Sequence, residues 1–359
     1  MTKSITIAVD AMGGDKGPRM VVRGCAIARK RYPDTQFILF GDEAKLQPHL
    51  EKAKSLAKSV IVRHTPDAIA NDTKASVALR TGRETSMWRA VQAVREGEAA
   101  AMISAGNTGA LMAVAKFVLR TMPQISRPAM CSFFPTLRGE SVMLDLGANV
   151  ECDADNLVQF AVMGEMFART VLGRINPTVG LLNIGSEDLK GHESVRQAAA
   201  FLKNTSLPIA FHGFIEGNDI AEGTVDVVVT DGFTGNVALK TAEGTARLVS
   251  AFIREAFKSS FFAAIGYLFA KHALTKMRRR VDPRSYNGAV LLGLNGIVVK
   301  SHGSSDPYGF ATAMGVGIEM AAHGFIDRIR SEFAQLYGDG DLYGQAIQLF
   351  DWGFAQLRS

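Results

Sequence analysis

Short β-branched runs alternate with amphipathic stretches of helical length along the chain. Ile5–Val9, Gln36–Phe40, Val60–Arg63, Ala100–Ser104, Ser141–Leu144, Thr178–Ile184, Leu207–Phe211, Asp226–Val229 and Ile297–Lys300 read as strands. Helical patterns lie between them, among them Pro18–Arg31, Asp155–Leu172 and Glu193–Lys203, the first with its proline suited to an opening turn. Strands that alternate with helices predict βαβ units and a mostly parallel sheet. Several of the runs are almost wholly apolar, as a sheet covered on both faces requires. No repeat, low-complexity tract or Pro/Ser linker divides the sequence. The reading is one α/β domain over residues 1–359 with a helical excursion at about 250–286.

The 359 residues are 47% hydrophobic and 21% charged, the profile of a globular protein with a sizeable core. Three cysteines, Cys25, Cys131 and Cys152, fall into no CxxC spacing, so a reducing compartment is expected and no metal site. The opening MTKSITIAVDAMGGD is too early-charged for a signal peptide. The longest charge-free run, Ala99–Ala115, has 17 residues and contains Gly106, Asn107, Thr108 and Gly109. A bilayer needs ~20 apolar ones, so the expected location is cytoplasmic.

Charge is unevenly placed. Between Arg254 and Tyr286 lie eight Lys/Arg and two acids, a net +6, which taken from the chain's +5 leaves −1 elsewhere. The basic character belongs to one segment, and no spread-out nucleic-acid footprint is expected.

In open α/β sheets, ligands bind outside the carboxyl ends of strands. Small and polar residues gather there in six loops: Asp10–Gly17, Ala105–Gly109, Asp145–Asn149, Gly185–Asp188, Thr230–Asn236 and Ser301–Asp306. Helix capping needs one Ser, Asn or Asp per helix, not clusters, so a ligand cleft at one sheet edge is expected. Gly303-Ser304-Ser305 precedes a helix near Pro307, and Thr234-Gly235-Asn236 opens a helix over Val237–Leu248. Free N–H groups at helix starts suit phosphate. Lys300 and His302 flank one loop, and Lys240 follows the other. Neither G-x-G-x-x-G nor a Walker A motif is present, so the reading is a phosphate-type site without a nucleotide motif. His302 is the best acid–base or anion-contact candidate. Ser304 and Ser305 lack the G-x-S-x-G elbow, and Cys152 reads as an inert thiol.

Phe252, Ile253, Phe257, Phe261, Phe262, Ile265, Leu268 and Phe269 recur at helical spacing, followed by Lys276 and Arg278–Arg280. One basic amphipathic helix is expected, suited to an anionic membrane surface or an acidic partner. A core or dimer-interface stripe stays open as the other reading.

Taken in order, AVDAMGGDKGP, SAGNTGALMA, LDLGANVECDADN, GLLNIGSEDLKGHE, GFIEGNDI, VDVVVTDGFTGNVALK and GLNGIVVKSHGSSD resemble the successive motifs of the PlsX-type phosphate acyltransferases. The resemblance spans about residues 5–318, and the segment beyond carries no matching motif. It implies a Rossmann-like three-layer α/β/α fold related to phosphotransacetylases and to isocitrate/isopropylmalate dehydrogenase-like enzymes. It implies transfer of a fatty acyl group from acyl carrier protein to inorganic phosphate, without a cofactor. The acyl phosphate would feed glycerol-3-phosphate acylation in bacterial phospholipid synthesis. The implied partners are acyl carrier protein, a second copy of the chain, the membrane surface met peripherally, and the membrane glycerol-3-phosphate acyltransferase.

On that resemblance phosphate rests on Gly303, Ser304 and Ser305, with Lys300 and His302 nearby. Thr234, Gly235 and Asn236 close the other side. Asn107 and Thr108 contact the thioester or its oxyanion, and Asp231 orients a donor. Phe261 and Phe262 wall the acyl chain, and Lys271, Lys276, Arg278, Arg279 and Arg280 meet the carrier protein. Two rivals are a dehydrogenase, whose nicotinamide fingerprint and metal-binding acids are missing, and an adaptor built on the basic helix.

Overall fold

The structure is a computed structural model that describes residues 4–205, 209–280 and 282–338. In chain order the elements begin with β1 (Thr6–Asp10), α1 (Gly17–Arg31), β2 (Gln36–Gly41), α2 (Glu43–Leu50), β3 (Val60–His64), α3 (Ala75–Thr81), α4 (Ser86–Arg95), β4 (Ala101–Ser104) and α5 (Thr108–Leu119). Next come β5 (Ala129–Thr136), β6 (Gly139–Leu144), α6 (Ala154–Val171), β7 (Thr178–Leu182), α7 (Glu193–Asn204), β8 (Ala210–Ile215), α8 (Gly217–Glu222) and β9 (Val227–Val229). The chain continues with α9 (Gly232–Lys258), α10 (Phe261–Arg280), β10 (Ala289–Leu292), β11 (Ile297–Lys300), α11 (Pro307–Ala322) and α12 (Phe325–Gly338). Leu207 and Pro208 lie outside the described residues, so the strand expected at Leu207–Phe211 is described from Ala210.

All eleven strands form one sheet in the order β3-β2-β1-β4-β11-β10-β5-β6-β9-β7-β8. Side chains alternate between its faces with the period of a strand. Ile7 and Val9, Ala101 and Ile103, and Ile297 and Val299 join one core cluster with α1, α6 and α11, whereas Ala8, Met102 and Val298 join a second with α4 and α5. The result is the expected three-layer α/β/α sandwich with a mostly parallel sheet.

Two strands escape the sequence pattern, and they decide where the loops go. β10 is antiparallel to both β11 and β5, and β5 is antiparallel to β6. Their insertion reverses the sheet. β1–β4 and β11 run one way, while β6, β7, β8 and β9 run the other. The six polar loops therefore do not share one edge. Those after β1, β4 and β11 leave at what we term the Lys300 edge, and those after β6, β7 and β9 leave at the opposite, Asp145 edge.

The excursion is also corrected: the apolar stripe lies on two helices. Ser259 donates its hydroxyl to Ala256 O (2.7 Å) at the end of α9, and Ser260 Oγ accepts from Ala263 N (3.1 Å) at the start of α10. Two consecutive serines thus end one helix and cap the next, which favours a reversal over continuation.

Candidate functional site

The Lys300 edge is built around a buried carboxylate. Asp10 ends β1, and its Oδ1 accepts from Ser86 Oγ (2.6 Å) and Met12 N (3.3 Å), its Oδ2 from Ser104 Oγ (2.6 Å). Gly13 presses on this group: a Cβ there would lie 2.5 Å from Asp10 Oδ2 and 2.7 Å from Gly106 N, so no larger residue fits. Burial raises the Asp10 carboxyl, and the serine hydroxyls and backbone N–H groups oppose that shift. Lys300 ends β11 only 9% exposed, and its Nζ donates to Ser301 O. Burial brings the Lys300 ammonium down to about 8, and Lys240 adds to the fall, while Asp10 and Asp15 hold it up. Its charge at neutral pH is therefore held within about one pH unit of loss.

The following loop is tied from several sides. Ser301 N donates to Ser104 O and Asp15 N to Gly303 O, both at 2.9 Å. Asn287, which precedes β10, donates to Ser301 Oγ (2.8 Å), Ser305 Oγ (3.1 Å) and Gly309 O (2.8 Å), and accepts from His302 N (2.9 Å). Ser304 donates its N–H to His302 Nδ1 (3.2 Å), and its hydroxyl lies 2.9 Å from the same atom. An Nδ1 that accepts a backbone N–H leaves the ring proton on Nε2. Burial, Lys240 and Lys300 depress the His302 imidazole, so it is a neutral donor at pH 7.

Helix ends complete the electrostatics. Asn107 caps α5 (2.9 Å to Ala110 N) and Asp306 caps α11 (2.9 Å to Gly309 N). The start of α1, directly after the Asp10 loop, has no side-chain cap and no acid in its first turn. It is thus a positive helix end without a side-chain cap, and the Asp15 carboxylate just before it accepts from Asn71 Nδ2 (2.9 Å). The third turn of α9 brings Lys240, paired with Glu243 (2.9 Å), close enough for both charges to act on His302. A cation held by burial, a neutral imidazole donor and an uncapped helix start, all at one rim, form a receptacle for an oxyanion.

Sequence comparison assigns this frame. A family model described as "Fatty acid synthesis protein" matches residues 5–328. The phosphate acyltransferase of Rhodospirillum centenum is 62% identical over 336 residues, covering 94% of this chain and 95% of that protein. That of Paramagnetospirillum magneticum is 57% identical over 336 residues, covering 94% and 96%.

The chain belongs to the phosphate acyltransferase family.

It is accordingly an enzyme, an acyltransferase of lipid biosynthesis. Solved phosphotransacetylases share the fold. EutD from Staphylococcus aureus gives a TM-score of 0.57 at 17% identity, covering 89% of this chain and 95% of that one. The Streptococcus pyogenes enzyme gives 0.58 at 19%, covering 88% and 94%.

Within this phosphate acyltransferase frame, the expected site residues divide. Lys300, His302, Gly303 and Ser304 share the rim, but Ser305 turns inward to Asn287 and Ser301, only 9% exposed. The α11 terminus is filled by Asp306, which itself accepts from Arg284 Nη1 (2.9 Å), so it is not free for an anion. Asn107 reaches the rim with its donors consumed: Nδ2 donates to Asn71 O (2.7 Å) and Thr73 O (2.9 Å). It is a clamp on residues 71–73. Thr108 is exposed at the first position of α5.

Asp231, Thr234, Gly235 and Asn236 leave from the Asp145 edge. Asp231 caps α9, accepting Thr234 N (2.8 Å) and Thr234 Oγ1 (2.7 Å). Gly235 packs so tightly on the Asp145 carbonyl that a Cβ would lie 1.9 Å from it, and Asn236 lies beside Gly147. Asp145 organises this edge, accepting from Met130 N, Gly147 N, Ala148 N, Asn149 N and Asn149 Nδ2 at 2.7–3.1 Å. α9 links these residues to the rim through Lys240 and Glu243.

On α10, Phe261, Phe262, Lys271 and Lys276 are exposed. The side chains of Arg278, Arg279 and Arg280 lie outside the described residues. Asp10 and Asn287 were missed by sequence reasoning. The carboxylate ending β1 was legible as a loop residue but not as a buried acceptor, and Asn287 had no local signal at all.

Proposed function

We propose that the Lys300 rim holds inorganic phosphate beside the thioester of a fatty acyl-[acyl carrier protein], and that phosphate itself attacks the carbonyl. The products are acyl phosphate and the free thiol of the carrier. The observation that carries this reading is Lys300, a nearly buried amine with its charge retained at neutral pH and near enough to His302 for that charge to act on the imidazole. Lys300 binds and orients the dianion, and orientation beside the carbonyl accounts for about 7–11 kcal/mol of barrier lowering. His302 offers Nε2–H to the phosphate or the developing oxyanion, a donor of the kind worth about 3–4 kcal/mol. The leaving thiolate, from a thiol of pKa ~8.5, departs without a general acid. The assay that tests the reading is acyl phosphate formation from purified protein, long-chain acyl carrier protein and phosphate. No product under saturating phosphate would refute it.

The cysteines support direct attack. Cys25 and Cys131 are fully buried with thiols pushed far up, and burial and the nearby Asp145 and Asp231 charges push Cys152 up to about 12. None is a thiolate at neutral pH. The Ser304–His302 pair favours one alternative, a seryl acyl-enzyme. Direct attack predicts that Ser304→Ala lowers kcat/KM by about tenfold or less, the loss of one hydrogen bond near 1 kcal/mol. An essential nucleophile predicts a loss of about 10⁴-fold or more.

The Lys300 charge sets the pH dependence. Its ammonium is present below about pH 8 and lost above it, so the KM for phosphate should rise about tenfold per unit above that point. Lys300→Arg, whose guanidinium does not titrate in this range, should flatten the rise. Initial rates at varied phosphate from pH 6.5 to 9.5 provide the check.

The α9–α10 hairpin supports a peripheral membrane role and a homodimer. Phe261, Phe262 and Phe269 are 76%, 82% and 85% exposed, close to Lys258 and Lys271. Among the described residues no helix is long and apolar enough to cross a membrane. A basic hairpin with an aromatic tip suits an anionic bilayer surface, from which the product would pass to a membrane glycerol-3-phosphate acyltransferase. The exposed Leu248 and Val249 of α9 suit pairing with a second copy, and Lys271 and Lys276 suit the acidic carrier protein. Phe261→Glu/Phe262→Glu should lose sedimentation with anionic vesicles and keep acyl transfer in solution. Equal sedimentation would remove the membrane role.

A further inference from the structure

A polar cavity opens away from the rim, at the Lys300 edge but where β5 ends and β6, β7 and β9 begin. It encloses about 280 Å³ and is lined by Thr136, Arg138, Glu140, Arg174 and Asp226, among others. These charges are unevenly paired. Arg174 Nε lies 3.3 Å from Asp226 Oδ1, and Asp226 Oδ2 already accepts from Thr178 N (2.9 Å) and Thr178 Oγ1 (3.0 Å). Asp226 is therefore satisfied. Among the described residues, the exposed Arg138 guanidinium has no ion-pair or hydrogen-bond partner, and the exposed Glu140 carboxyl has no hydrogen bond but lies within reach of the Arg174 charge. Arg174 spends its Nε on Asp226, and its terminal N–H groups line the same space.

We infer that this cavity binds a small organic phosphate ester, its phosphate between Arg138 and Arg174 and its hydroxyl-bearing end on Glu140 and Thr136. Two guanidinium forks match a phosphate bidentately, which lysines at a rim do not. A carboxylate facing the same space excludes a ligand that is anionic throughout and accepts hydroxyl donors. The volume is at or just below the lower end of small-molecule pockets, about 300 Å³. That admits a polyol phosphate or the end of a prosthetic arm and excludes a nucleotide. Of the strands around the cavity only β5 ends there, in its tight turn to β6, so the site would regulate or anchor and would not react.

Two sources carry this chemistry, a free polyol phosphate and the phosphate of a carrier protein's pantetheine arm, the latter resting on the acyl-carrier reading above. Thermal-shift and calorimetric titrations with glycerol 3-phosphate and with pantetheine 4′-phosphate distinguish them. Glycerol and glycerate serve as controls. Saturable binding of either ester is expected, reduced at least tenfold in Arg138→Ala, whose side chain has no native partner to lose, and retained in Lys300→Met. Whichever ester binds identifies the source. No saturation by either ester at 20 mM, unchanged binding in Arg138→Ala, loss in Lys300→Met, or equal binding of glycerate would each overturn the assignment. Because Lys300→Met removes the rim cation, failure of the rim reading leaves this result interpretable.

Discussion

Lys300→Met should reduce acyl phosphate formation by about 10²- to 10³-fold while leaving the fold no less stable than the wild type. The loss follows from removing a buried cation at the rim, since one preorganised charge or donor at a reacting oxyanion is worth about 3–4 kcal/mol. Stability runs the other way because the folded state disfavours this charge. Lys300 falls from 10.5 to about 8, so between those values the unfolded chain binds a proton that the native chain does not, and wild-type stability rises with pH across that window. Below about pH 8 the cost is at its full value, up to about 3 kcal/mol at 1.36 kcal/mol per unit. Methionine has nearly the same length and no charge to desolvate. Asp10 keeps Ser86, Ser104 and the Met12 N–H as partners, so it is not orphaned. Urea unfolding at pH 7 together with the acyl transfer assay provides the check. A variant that is inactive because it is unfolded would contradict the assignment of Lys300 to phosphate.

Asp145→Ala carries the largest expected loss of stability, about 4 kcal/mol or more. Five N–H donors from Met130, Gly147, Ala148 and Asn149 converge on its two oxygens. Each buried donor left unpaired costs about 1–3 kcal/mol, moderated where water can enter. The turn they hold is the seat of Gly235 and hence the start of α9, so the loss should also displace Lys240 from the rim. Asp145→Asn keeps one acceptor oxygen and should recover part of the loss. Denaturant midpoints for the three proteins decide it, and a change below about 1 kcal/mol in Asp145→Ala would show that the five bonds are not organising this edge.

Much of the fold was legible because a parallel strand buried on both faces must be a short apolar run followed by a turn, as in Ile5–Val9 and Ile297–Lys300. β5 and β10 were not. Ala129–Thr136 is joined to β6 by a hairpin and has no crossover helix after it, and Ala289–Leu292 is four residues long beside a basic helical segment. Missing them left the sheet unreversed, which placed Thr234–Asn236 beside Ser304 when they leave from opposite edges. The phosphate loop itself was readable from its composition, and its division of labour was not. Whether Ser305 faces solvent or Asn287 depends on a contact across 18 residues that no local pattern encodes. The capping roles of Asn107, Asp231 and Asp306 follow from rules about helix starts, and those roles occupy donors or helix ends that composition alone had offered to a ligand.

Intact-protein mass spectrometry after mixing enzyme with acyl-[acyl carrier protein] in phosphate-free buffer, quenched on the millisecond scale, tests the central chemistry most directly. Attack by bound phosphate predicts an unmodified chain and no released carrier thiol until phosphate is added, whereupon acyl phosphate and thiol appear together. One acyl group per chain on Ser304 or Cys152, formed before phosphate arrives, would contradict it.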